Sequence, residues 1–167
     1  MSSSKTLHKR TVHRKIFTPA EANATLPLVG AIVSDLVDLS RELMERRQRL
    51  SLLKGGKASN SHDPYHEELV QVQKDMERDT LRLREYVEEL RALGVEPKSG
   101  TEGLVDFPAL LNGRKVYLCW KLGESRVLFW HDLEAGYIGR QPLRPESEFQ
   151  SEEDDITHGM VGDVSQN

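Results

Sequence analysis

A single cysteine, Cys119, is the first scarcity in this sequence. It excludes an intrachain disulfide and any Cys-rich zinc site. Hydrophobic residues fill only 37% of the 167 positions, and charged residues fill 30%. The core is therefore modest. No apolar run approaches the roughly 18–20 residues of a membrane span, and no charged–apolar–small leader is present. These absences predict a soluble cytoplasmic protein without membrane contact. No Gly-rich phosphate loop of Walker or dinucleotide type occurs. Ser125 lies near a glycine but lacks a nucleophile-elbow context.

Charge is present but unevenly spread. The net charge is −4, yet the first twenty residues carry Lys5, Lys9, Arg10, Arg14 and Lys15 and no acid. Residues 145–167 carry Glu146, Glu148, Glu152, Glu153, Asp154, Asp155 and Asp163 and no Lys or Arg. Neither end has apolar periodicity. Residues 1–15 read as a disordered basic arm and residues 144–167 as a disordered acidic tail. A basic arm can contact nucleic acid or form part of a transit peptide. A solvated tail is the simpler reading, because the acidic end competes for the arm, so a nucleic-acid partner is not expected.

Between the tails, residues 16–143 read as a single α+β domain. Thr18-Pro19-Ala20-Glu21 is a helix start with a capping box. Pro27 interrupts the run, which predicts one short helical turn followed by a second, long helix from Pro27 to about Leu53. Along it Val29, Ile32, Leu36, Leu39, Leu43, Leu50 and Leu53 keep heptad spacing, with Arg46 in the skipped position. A Gly- and Ser-bearing loop follows to Ser61. Asp63-Pro64 starts the next helix. Its stripe is Leu69, Val72, Met76, Leu83, Tyr86, Leu90 and Leu93, broken by Asp79, and Gly94 is its stop. The two helices form a long antiparallel hairpin over residues 16–94. That fold brings Arg46 and Asp79 close enough to set its register.

Residues 103–143 change character. LVDFPALL, RKVYLCWK and RVLFWHD read as a three-stranded antiparallel meander, with Asn112-Gly113 as its first turn. Pro108 predicts that the first strand lies on an edge. Pairing Lys121 with Arg126 puts Val116, Leu118, Trp120, Val127, Phe129 and His131 on the core face. The other face then carries Tyr117, Cys119, Lys121, Leu128, Trp130 and Asp132. It is too apolar to stay bare, so the 136–143 segment, a helix or a second subunit must cover it. A slip of one residue in the turn exchanges the faces of the third strand.

Four stretches carry a family resemblance. Gly103-Leu-Val-Asp-Phe-Pro-Ala, Tyr117-Leu-Cys-Trp-Lys-Leu-Gly-Glu124, Trp130-His-Asp-Leu-Glu-Ala-Gly136 and Gly139-Arg-Gln-Pro-Leu143 resemble the prokaryotic domain-of-unknown-function family 2203. The opening Phe17-Thr-Pro-Ala-Glu-Ala-Asn-Ala-Thr-Leu-Pro27 is similar to the start of that family. The resemblance covers about residues 16–143. It implies a bacterial or archaeal cytoplasmic protein and names no activity.

Candidate sites are few. His62 and His66 have metal-like spacing, but Pro64 starts a helix between them and leaves His62 outside it. Cys119, Glu124, His131, Asp132 and Glu134 suggest a metal centre, but Glu124 and His131 stand at opposite ends of the second hairpin, roughly 20 Å apart at about 3.3 Å per residue. They cannot share one ion, so no metal site is expected. Two polar groups remain. The secondary cluster is Asp106, Lys121 and Glu124. The stronger group is Arg114, Lys115, His131, Asp132, Glu134 and Arg140. Gly136 and Gly139 would admit a ligand beside Arg140, whose planar fork suits a carboxylate or phosphate. His131 is placed to transfer a proton. The competing reading makes Arg140 a clamp on Asp132 or Glu134, and Trp120 and Trp130 packing residues. The expected function is a non-enzymatic, homodimeric binding or scaffold protein, paired through its helices and offering a small polar pocket to an anion. The alternative is a small metal- or anion-dependent enzyme using His131, Asp132 and Arg140.

Overall fold

The structure, a computed structural model, describes residues 15–54 and 64–152. The expected cap at Asp63, the metal-like partner His62, the loop to Ser61, the arm before Lys15 and the tail beyond Glu152 lie outside the described residues. Two helices are followed by an antiparallel sheet, as the α+β reading expects. The order is α1 (Pro19–Lys54), α2 (Pro64–Ala92), β1 (Glu96–Ser99), β2 (Leu104–Leu111), β3 (Arg114–Lys121), β4 (Phe129–Asp132), a 3-10 turn (Tyr137–Gly139), β5 (Gln141–Pro142) and β6 (Phe149–Gln150).

The capping box forms at the start of α1. The Glu21 amide donates to Thr18 Oγ1 at 3.2 Å, and the Thr18 amide donates to Glu21 Oε2 at 3.4 Å. Pro27 does not divide the helix; it sits inside α1. An interior proline costs roughly 3 kcal/mol or more, and tertiary anchors on both sides offset it. Ala22 and Val29 are fully buried. Asn23 Oδ1 accepts the Val127 amide at 2.7 Å, tying this turn to the sheet.

α1 buries a wider face than a heptad seam. Val33 and Val37 join Val29, Leu36, Val105, Phe107, Leu118, Trp120 and Trp130 in one cluster. The helix meets both α2 and the sheet, so a two-residue stripe does not suffice. This apolar half also makes α1 long and apolar enough, by length and composition, to cross a membrane, which the sequence reading missed. Among its apolar residues Val29, Val33, Leu36 and Val37 are buried in the cluster shared with the sheet. Arg46 Nη1 meets Asp79 Oδ2 at 2.6 Å, so the two charges that break the stripes pair across the hairpin. α2 ends where Gly94 predicts. The Val95 amide returns to the Leu90 carbonyl and the Gly94 amide to the Arg91 carbonyl, both at 2.9 Å.

The sheet has six strands, in the order β1-β2-β3-β4-β5 with β6 also on β2. The meander β2-β3-β4 is its centre. β1, β5 and β6 were not expected; they are two to four residues long and lack alternation. The turn between β2 and β3 is the predicted one, with Asn112 at φ 52° and Gly113 at φ 75°. β2 is not an edge strand. β1 pairs with residues 104–106 and β6 with residues 110–111. Pro108 falls in the gap between them, so its missing N–H breaks no ladder. Its carbonyl accepts the Phe17 amide at 2.7 Å.

β4 pairs one residue out of the expected register: Cys119 stands opposite Phe129. Residues 122–128 form a wide connection rather than a tight turn. It is held by the Glu124 amide on the Lys121 carbonyl, at 3.0 Å, and by Trp120 Nε1 on the Glu124 carbonyl, also at 3.0 Å. The faces of the third strand therefore exchange. Trp130 joins the core, while Phe129 and His131 move to the face of Cys119 and Tyr117.

The chain also stays ordered past Leu143. The Asn112 amide donates to the Glu148 carbonyl, the Gly113 amide to Gln150 Oε1 and the Ile16 amide to Glu152 Oε1. These bonds stitch the start of the acidic segment to the β2–β3 turn and to the chain before α1.

Candidate functional site

The face of the sheet away from α1 carries one buried titratable side chain from each central strand. Asp106 lies between Val105 and Phe107 on β2. Cys119 stands directly opposite it on β3. His131 on β4 lies diagonally beyond, opposite Tyr117. All three are buried to within 2% of full exclusion from solvent. Asp106 and His131 are the only buried polar or charged residues among those described. Their donor atoms, one from each side chain, lie within 4.8 Å of one another.

The orientation of His131 follows from its partners. Its Nδ1 lies 2.7 Å from the Asp132 carbonyl oxygen. A backbone carbonyl only accepts, so Nδ1 carries the hydrogen. Nε2 then faces Asp106 Oδ1 at 3.0 Å. With Nδ1 as the donor to the carbonyl, a hydrogen on Nε2 or on the Asp106 carboxyl bridges this contact. Burial pushes the Cys119 thiol up to about 12, and the neighbouring Asp106 carboxylate pushes the same way. A thiol so held is not a nucleophile at neutral pH.

The second arrangement is the Arg140 clamp. Arg140 Nη2 donates to Glu124 Oε2 at 2.7 Å and approaches the Cys119 carbonyl at 3.4 Å. The guanidinium lies 4.1 Å from the Phe129 ring centroid and 4.8 Å from that of Tyr137. Lys121 Nζ stands 5.3 Å from the other contact surface of this patch, the Tyr137 ring. Glu124 Oε2 also accepts the Lys121 amide at 2.9 Å. Segment 136–140 thus covers part of the second sheet face.

The two polar groups expected from the sequence are redrawn. Asp106 leaves the secondary cluster and meets His131. Arg140 meets Glu124 rather than Asp132 or Glu134. Asp132 pairs with Arg114 at 3.3 Å on the surface. Lys115 and Glu134 are exposed. The two glycines beside Arg140 have a local purpose. Gly136 takes φ 62°, and a Cβ on Gly139 would come within 2.5 Å of the Ala135 Cβ. The tight 3-10 turn therefore requires both without a ligand. Sequence reasoning missed the Asp106–Cys119–His131 group. Its signal was an Asp, a Cys and a His within the apolar runs of three neighbouring strands, hidden by the register of β4.

The chain belongs to the family described as uncharacterized conserved protein (DUF2203), whose family model matches residues 15–143. No curated protein and no solved structure matches it.

Proposed function

We propose that this chain is a non-enzymatic, homodimeric binding or scaffold module, cytoplasmic, that pairs through the free end of its helical hairpin. One observation carries this reading. Of the 29 residues of α2, only Leu90 is buried, although the helix carries a heptad stripe from Leu69 to Leu93 broken only at Asp79. Leu81 is 57% exposed and Leu52 80% exposed. A groove of about 920 Å³ runs between the helices there, lined by Leu50, Met76 and Leu81 and rimmed by Arg47, Glu77 and Arg84. A second copy suits this surface, because both signs of charge flank the apolar strip and a two-fold pairing sets the strip against itself. Four-helix packing is the ordinary way to bury two such hairpins.

The enzymatic alternative needs His131, Asp132 and Arg140 to face one open space. In this geometry His131 and Arg140 are turned to separate internal partners, and Asp132 pairs with Arg114 at the surface. A small anion at Arg140 would have to displace Glu124. The test is sedimentation equilibrium on the full chain and on Leu81→Lys. A dimer at micromolar concentration that weakens at least tenfold in the variant supports the proposal. A monomeric wild type overturns it.

A further inference from the structure

We propose that Asp106, Cys119 and His131 form a three-ligand site for a thiophilic divalent ion of the zinc class. The inference goes beyond the pairing of helices and does not rest on it. Each strand of the meander supplies one ligand to the same face, and each ligand is of a type that zinc accepts: thiolate, imidazole and carboxylate. An ion bound at about 2.0–2.3 Å from each donor holds tetrahedral donors about 3.3–3.8 Å apart. The present separations, all within 4.8 Å, need changes of under an ångström to about one ångström. The 3.0 Å between His131 Nε2 and Asp106 Oδ1 opens by a few tenths.

The imidazole is already set for a ligand role. Its Nδ1–H is held by the Asp132 carbonyl at 2.7 Å, the outer-shell bond that fixes the tautomer of metal-bound histidines and aims Nε2 at the ion. The ion takes the position between Nε2 and Oδ1, where a bridging hydrogen otherwise joins the two side chains. Binding exchanges the proton there and the thiol proton of Cys119 for the metal, and both protons leave to solvent. Ionised Asp106 and Cys119 then neutralise the dication. A fourth position is left for water or an exogenous ligand. Burial of all three side chains means that the ion enters as the sheet closes, so loading accompanies folding.

A thiol-catalytic triad is the other role such residues suggest. It requires an accessible thiolate, and Cys119 is 2% exposed. A plain hydrogen-bonded triad without metal is the remaining possibility, and it is an outcome of the test.

The experiment unfolds the full chain under reducing conditions, strips it with chelator and refolds it with cobalt(II) as the probe. Because the chain has one cysteine, a thiolate-to-cobalt charge-transfer band reports this site alone. Histidines elsewhere in the sequence can bind cobalt but cannot produce that band. The expected result is one cobalt per chain with the band and tetrahedral visible absorption, both displaced by zinc, and a melting point several degrees above that of the stripped protein. Cys119→Ser should lose the band. Asp106→Asn keeps the size of the side chain and one accepting oxygen but loses its charge, and should weaken cobalt binding at least tenfold while circular dichroism stays native. Should Cys119→Ser fail to fold, Asp106→Asn and His131→Gln decide by the same titration. A wild type that refolds with a titratable free thiol, no band and no metal-dependent melting shift overturns the proposal, as do variants that bind cobalt like the wild type.

Discussion

At the sheet end of the molecule α1 removes Val29 and Val33 wholly from solvent, whereas at the far end of the same helix Leu52 stays 80% exposed. The two ends also treat charge differently. Near the sheet, Asp106 and His131 are buried and face each other, and Arg140 is enclosed by Glu124, Phe129 and Tyr137. On the hairpin the ion pairs Arg49–Glu45 and Arg78–Asp75 stand in solvent, where such pairs contribute little. One end is a packed body whose buried polar groups meet specific neighbours, save Arg140 Nε, which has no hydrogen-bond partner. The other is a pair of arms whose residues tolerate change and have apolar surface to spare. Mutational cost should therefore fall steeply from sheet to arm tip, and a second copy is the reading we favour for the tip.

The comparison breaks first at Asp106. Asp106→Ala leaves His131 Nε2 and the Cys119 thiol without their acceptor in a dry interior, and should cost about 3–5 kcal/mol in urea unfolding. A loss under about 1 kcal/mol would mean that the sheet end is no stricter than the arms. Next comes Arg140→Lys. Lysine keeps the charge but cannot both pair with Glu124 and stack on Phe129, so about 2 kcal/mol should go. Phosphate should raise the melting points of wild type and variant equally; a larger rise in wild type would restore Arg140 as an anion ligand.

Arg46→Met sits midway along the molecule and should cost about 1.5 kcal/mol by leaving half-buried Asp79 unpaired. Changing both residues to Leu should recover most of that loss, and simple additivity would show that the pair does not couple. Ending the chain at Leu143 rather than Glu152 should cost about 1 kcal/mol, since half-buried Phe149 and the β6 pairing go with it. The smallest effect belongs to Leu81→Lys at the arm. It should shift unfolding by under about 0.5 kcal/mol while weakening self-association. A large loss of stability there would show that Leu81 belongs to the monomer's own core.

Much of the fold was legible because its signals are local. The capping box at Thr18, the stop at Gly94 and the Asn112-Gly113 turn each involve a few consecutive residues. The Arg46–Asp79 pair was legible because two long helices with a short connection leave one way to fold. Pro27 misled because its local penalty is smaller than the packing of Ala22 and Val29 on either side. β1, β5 and β6 carried no signal, since strands of two to four residues are defined by the neighbour they pair with.

The site was less legible than the fold for a related reason. Residue order alone made Asp106, Cys119 and His131 polar interruptions in apolar strands, and determined that the helices carry opposed charges at matching heights. Whether the three would meet depended on the register of β4, which the seven residues 122–128 do not encode as a turn. That register is held by contacts distant in sequence, among them Asn23 Oδ1 with the Val127 amide at 2.7 Å and the Leu143 amide with the Leu128 carbonyl at 2.9 Å. Side chains alternate across a strand with a period of two, so one residue of slip decides on which face His131 lies. Sequence determined which groups the protein owns; tertiary contacts chose the face, and with it the neighbours, of His131.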